Sequence, residues 1–156
     1  MRKIDQLLAE YGESHQNATN KTIHWICVPL IFFSIVGMIA SIPSGFLQNN
    51  LGTFANWAVV AMILVLIYYV SLSIPLSIGM AFFAVACLFL AREISHSVSL
   101  PLWQVSLAIF VLAWIGQFYG HKVEGKKPSF FKDIQFLLIG PAWLMHFVYN
   151  RLGIPY

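Results

Sequence analysis

The chain opens with Ile4, Leu7, Leu8 and Tyr11 at i, i+3, i+4 and i+7, the spacing of one helix face, while Arg2, Lys3, Asp5 and Glu10 fall off that stripe. The pattern predicts an amphipathic helix lying on a membrane surface, because long apolar runs follow it. Ile23 to Ile42 is long enough to cross a hydrocarbon core, which takes about 20 helical residues. Trp57 to Ala91 would make a helix of about 50 Å if unbroken, too long for one crossing. "SLSIPLS" (Ser71 to Ser77) divides it into two spans, since Pro75 lacks a backbone donor and biases Ile74 away from helical geometry. Leu100 to Tyr119, opened by Pro101, makes a fourth span. The last run, Ile134 to Tyr149, is shorter and carries Gly140 and Pro141; it reads as a fifth span, a kinked one, or a helix that enters without crossing. The expected fold is therefore all-α: an integral membrane bundle of four to five transmembrane helices with an N-terminal interfacial helix, in one domain over residues 1–156.

Composition strengthens this picture. Of 156 residues, 59% are hydrophobic and 10% charged, against about 25% charged in a typical soluble chain. Met1 to Tyr11 lack the apolar core and cleavage site of a secretory signal, so no processed targeting segment is expected. Cys27 and Cys87 both lie inside apolar runs and read as packing residues. Four crossings return the chain after Tyr119 to its starting side. Arg2, Lys3, Lys21, Lys122, Lys126, Lys127 and Lys132 then share one membrane face, opposed by Arg92 and Arg151. The positive-inside bias makes that face cytoplasmic, in a bacterial inner membrane or an endoplasmic reticulum membrane. The net charge of +3 needs no nucleic-acid partner.

That face also collects the polar residues able to carry chemistry. His15 and His24 are nine residues apart and would lie on opposite sides of an unbroken helix. "NATN" between them supplies a break, with Asn20 or Thr19 as the N-cap of the first span. Gln117, His121 and Glu124 follow at i, i+4 and i+7 at the end of the fourth span. Imidazole is the commonest metal ligand, and amides or carboxylates are natural partners for its second nitrogen. Taken singly, His15 can be a solvated surface residue, His24 an interfacial side chain bonded to backbone, and His121 a favourable helix C-terminal residue. His146, in the last apolar run, is either a fourth ligand or a hydrogen-bonded core histidine; His96 reads as a loop residue. No phosphate loop, His-Glu-x-x-His or Cys-x-x-Cys is present. What survives is a histidine-rich mononuclear metal site, with a bis-histidine haem protein and a metal-free scaffold or transporter as alternatives.

The pattern Tyr11-x3-His15-x-Asn17-x2-Asn20-x3-His24-x4-Pro29, with Trp114-x2-Gln117-Phe118-x-Gly120-His121 followed by Glu124, Pro128 and the Gly140-Pro141 pair, resembles the 2-hydroxy fatty acid dioxygenase family. Its best-known members are fungal endoplasmic-reticulum enzymes of fatty-acid α-oxidation. The resemblance implies a reaction: Fe(II)-dependent use of O2 to shorten a 2-hydroxy fatty acid by one carbon, with release of CO2. It implies that His15, His24 and His121 are the metal-binding and catalytic histidines, with His146 a further candidate. Asn17, Asn20, Gln117 and Glu124 are the expected outer partners of those ligands. Lys21, Lys122, Lys126 or Lys127 would hold the substrate carboxylate near the interface while the acyl chain lies among the spans. Chain length of the substrate and oligomeric state are not encoded in these motifs.

The topology yields a direct expectation. Single cysteines introduced at Ser14 and Ser129 should label from the same side of a sealed membrane; labelling from opposite sides would separate His15 from His121 and remove the shared site.

Overall fold

The computed structural model describes residues 2–125 and 130–156, without the side chains of 130–135. Among them are seven helices: α1 (Lys3–Gly12), α2 (Ala18–Ala40), α3 (Gly45–Leu51), α4 (Trp57–Leu72), α5 (Ile74–Ser97), α6 (Leu102–Glu124) and α7 (Phe130–Leu152). No strand occurs among the described residues, so the all-helical expectation holds.

Helix boundaries follow from local chemistry. Asn17 caps α2, its Oδ1 accepting from the backbone N–H groups of Thr19 (2.9 Å) and Asn20 (3.4 Å). The cap is thus Asn17 and not the expected Asn20 or Thr19, and α2 begins five residues before Ile23. Ser73 ends α4 and starts α5, its Oγ accepting from Leu76 N–H, with Pro75 in the first turn where its missing donor does no harm. His96 lies in the last turn of α5 and not in a loop. Gly125, at φ 74°, ends α6 in the left-handed region.

Among the described residues three helices, α2, α5 and α6, are long and apolar enough to cross a membrane. The sequence had suggested four to five. The difference begins with α4, whose 16 residues reach about 24 Å against a hydrocarbon core of about 30 Å. α4 nevertheless runs between both ends of the bundle. Its Ala58 and Met62 cluster with Phe33, Val36, Cys87 and Ala91, and its Tyr69 with Leu76 and Met80 at the opposite end. Large apolar side chains such as Ile63, Ile67, Phe82, Val85, Leu112 and Ile115 point outward and are more than half exposed, a belt suited to lipid rather than water.

α7 packs at the Tyr69 end. Tyr69 Oη donates to Leu138 O (2.5 Å), and Tyr149 Oη donates to Pro75 O (2.7 Å) while accepting from Gly79 N–H (3.0 Å). Pro141 lies inside α7, which runs over 23 residues. The stripe of α1 corrects a second expectation: Ile4, Leu7, Leu8 and Tyr11 are buried with Ile139, Ala142 and Trp143 of α7. They face protein and not a lipid surface.

The closest pair is α2 with α6, antiparallel, so that Asn20 faces Gly120, Cys27 faces Gly116 and Gly37 faces Ser106. Gly116-x-x-x-Gly120 is a small-x-x-x-small seam of the kind that lets membrane helices approach closely. A methyl group at Gly116 would lie 2.7 Å from Cys27 Sγ, and one at Gly120 would overlap Asn20 Oδ1. Gly120→Ala should therefore lower the thermal stability of the detergent-solubilised protein, by about 1–3 kcal/mol if overpacking behaves as usual. Gly45→Ala, where nothing lies within 4 Å, serves as the control; equal melting temperatures for the two variants would contradict the seam.

Candidate metal centre

Three elements deliver one histidine each to the end of the bundle where α2 starts and α6 finishes. His15 stands in the turn between α1 and α2, its N–H donating to Gly12 O (3.0 Å). Its Nδ1 lies 2.6 Å from Tyr11 O, a carbonyl of the last turn of α1. His24 sits in the second turn of α2, with Nδ1 2.9 Å from Asn20 O. His121 occupies the last turn of α6. Ring centroids are 4.1 Å apart for His15 and His24, 5.0 Å for His24 and His121, and 5.5 Å for His15 and His121. One nitrogen from each lies within 4.8 Å of the others, and all three residues are buried.

A backbone carbonyl can only accept a hydrogen bond, so the Nδ1 of His15 and of His24 carries the proton. The basic lone pair of each then belongs to Nε2, as in metal-binding histidines oriented through their second nitrogen. The fit to a metal ion rests on that donor set: three buried imidazoles at mutual ligand distance, two with a fixed tautomer. The surround is aromatic. Tyr11 stacks on His15 at 4.2 Å and 11°, and Trp143 of α7 lies 5.4 Å from the same ring. Tyr11 was visible in the sequence as the end of the α1 stripe. Trp143 was not, because nothing local to α7 says that it faces α1.

Glu124 ties these elements together. Its Oε1 accepts from Gln16 N–H (2.9 Å), and its Oε2 from Asn17 N–H (2.9 Å) and from Asn20 Nδ2 (3.1 Å). Asn20 Nδ2 also donates to Ser14 O (3.2 Å). The carboxylate thus sits at the N-terminus of α2, where backbone N–H groups and the helix dipole favour negative charge. Asn17, Asn20 and Glu124 all act on the backbone that carries the histidines. Gln117 is buried one turn before His121. Lys21 is half-buried at the start of α2 and Lys122 is exposed beside His121, while Lys126 and Lys127 lie outside the described residues.

His146 is not brought into this cluster. Its Nδ1 meets the Tyr156 hydroxyl and its Nε2 lies 3.0 Å from Asn150 Nδ2, so its position fits the hydrogen-bonded reading and not that of a fourth ligand. His146 lies one turn beyond Trp143, on the wall of an open cavity of about 230 Å³ that it shares with Asp5, Leu8, Ala9, Trp143 and Tyr156.

Comparison with known proteins agrees with the motif reading. The family profile described as 2-hydroxy-palmitic acid dioxygenase Mpo1-like matches residues 1–152. The 2-hydroxy-palmitic acid dioxygenase MPO1 of Saccharomyces cerevisiae is 31% identical over 150 residues, covering 94% of this chain and 79% of the yeast protein. No solved structure matches. With the match running over nearly the whole chain, the protein belongs to the 2-hydroxy-palmitic acid dioxygenase Mpo1-like family.

Proposed function

We propose that this protein is an Fe(II)-dependent dioxygenase that shortens a membrane-dissolved 2-hydroxy fatty acid by one carbon. The observation that carries the proposal is the buried cluster of His15, His24 and His121, in a chain whose yeast relative is named a 2-hydroxy-palmitic acid dioxygenase. The overall conversion balances without an added reductant. A 2-hydroxy acid and one O2 give the acid one carbon shorter, CO2 and water, with the bond between C1 and C2 broken. Iron, when bound, supplies the redox chemistry toward O2 and a Lewis-acidic point for the hydroxy acid, because three protein ligands leave about three of its six positions open.

The chain's own residues do the rest. The three imidazoles hold the ion, and Tyr11 O and Asn20 O fix two of them in orientation. Tyr11 and Trp143 wall off His15 from water on the α1 and α7 side. Lys21 and Lys122, at the same end of the bundle, are the described cations able to draw a carboxylate to this depth. We place the site at the cytoplasmic face, on the charge asymmetry of the sequence.

The geometry disfavours both alternatives. A haem between His24 and His121 would have to pass its macrocycle between rings 5.0 Å apart, with His15 against both. A scaffold has no use for three imidazoles buried together, since buried polar side chains are costly in a membrane protein unless paired or functional.

Two sets of variants test the roles. His15→Ala, His24→Ala and His121→Ala should each lose iron and O2 consumption on 2-hydroxypalmitate together, whereas His146→Ala keeps its iron; retained iron in any two of the first three would sink the shared site. Asn20→Ala and Glu124→Ala disturb only what holds the ligands, so metal affinity should fall by about 10- to 100-fold with helicity unchanged. Wild-type protein that consumes O2 equally with palmitate and 2-hydroxypalmitate would contradict the substrate assignment.

A further inference from the structure

The connection between α2 and α4 carries no charged residue over positions 41–56, yet it turns its largest apolar side chains outward. Phe46 and Leu51 of α3 and Phe54 just after it are 75%, 73% and 70% exposed. Its polar side chains bond within the connection or to the first turn of α4. Gln48 Nε2 donates to Ser44 Oγ (3.2 Å), Asn50 Nδ2 donates to Phe46 O (2.7 Å), and Asn56 Oδ1 accepts from Val59 N–H (3.1 Å). The Trp57 indole closes the loop by donating to Pro43 O (3.1 Å). Water favours the reverse, since burying side chains of this size is favourable by about 1.5–3 kcal/mol each and exposed amides need no internal partner. Amides bonded internally beneath outward apolar groups suit a medium poor in water.

The depth of the connection is set by α5. That helix carries no charge from Ile74 to Ala91, about 27 Å of helix, close to the ~30 Å of a hydrocarbon core. Arg92 is its first charged residue, and the Arg92 guanidinium lies 4.8 Å over the Phe54 ring, a cation–π contact. Phe54 therefore stands at the level where the hydrocarbon ends. Trp57 and Trp103, half-exposed at the starts of α4 and α6, are at the same end of the bundle, as indoles are at a membrane interface. We infer that residues 41–56 form an interfacial anchor: α3 and the turn after it lie in the headgroup–acyl boundary of the leaflet opposite the three histidines, with Phe46, Leu51 and Phe54 immersed in lipid. Lipid is the occupant because these side chains continue the outward apolar belt of the spans, and because Arg92, without a carboxylate partner among the described residues, is left to face headgroup phosphate. The anchor also accounts for the start of α4: a helix of only 16 residues opens here into apolar chain rather than into water.

Spin-label depth measurements test this on the full-length protein in nanodiscs. Phe46→Cys, Leu51→Cys and Phe54→Cys each place a nitroxide at an outward site, and the buried Cys27 and Cys87 set a background measured without added cysteine. At all three sites relaxation by O2, which partitions into lipid, should exceed relaxation by a water-soluble nickel chelate, at depths of about 5–10 Å into the boundary. Phe82→Cys, on the outward side of α5, gives the deeper hydrocarbon reference. Leu51→Asp should raise nickel access to the label at residue 46, a change that a segment already in water would not show. Nickel relaxation at two of the three sites equal to that of a nitroxide free in buffer would put the connection in water and overturn the anchor. Low access to both relaxants would overturn it as well, because the face would then be covered by protein; dipolar broadening between labels would identify that cover as a second copy. None of these readouts involves iron or O2 consumption, so the anchor stands or falls independently of the dioxygenase assignment.

Discussion

The end of the bundle that gathers the three histidines depends on how closely α6 can approach α2. Asn20 has no room beside any side chain larger than the hydrogen of Gly120, and Cys27 Sγ stands against Gly116 in the same way. Because the backbones come that near, the last turn of α6 overlaps the first turn of α2. One carboxylate from α6, that of Glu124, can then reach two backbone donors and an amide at the start of α2. The glycine seam and the Glu124 clamp are mutually dependent: the first permits the approach, and the second fixes its register at the end where His24 and His121 must meet.

The break between α1 and α2 places the third histidine, His15, by a different route. Helices end with carbonyls that lack an intrahelical partner, and His15 satisfies one of them by donating from Nδ1 to Tyr11 O. The same bond sets the tautomer and turns the ring onto Tyr11. His24 does the equivalent inside a helix, sharing Asn20 O with the backbone ladder. At His15 a capping requirement and the orientation of the ring are met by a single hydrogen bond. This explains why a stretch so rich in histidine and asparagine precedes an apolar span.

Much of this was legible in the sequence, and the exceptions have physical causes. The break at Ser73 and Pro75 follows from residue type and spacing, since caps and turns are local properties; the grouping of His15, His24 and His121 comes from the family resemblance, and the structure brings the three rings together. Spacing points to Asn20 or Thr19 as the cap because Asn17 and Asn20 are equally good candidates; in the fold Asn20 Nδ2 is engaged by Ser14 O and by Glu124, more than 100 residues away, and Asn17 does the capping. The α1 stripe looked interfacial because periodicity reveals an apolar face without naming what covers it, and here the cover is α7. His146 was left open for the same reason. Gly116-x-x-x-Gly120 was in plain sight, yet its importance appears only when Asn20 and Cys27 are seen against it.

The two ends of the bundle divide their tasks by composition. At the far end, Phe32, Phe33, Val36, Ala58, Met62, Ala84, Cys87 and Ala91 pack as an apolar cluster, and shape alone has to be satisfied there. At the histidine end the buried set includes His15, Asn20, His24, Gln117 and His121, polar groups whose burial is costly unless each finds a partner. That end is held by directional bonds, so loosening α6 there costs site geometry before it costs fold. Polar residues can be gathered in this way only where the helices terminate, and His15, His24 and His121 stand where α1 and α6 end and α2 begins.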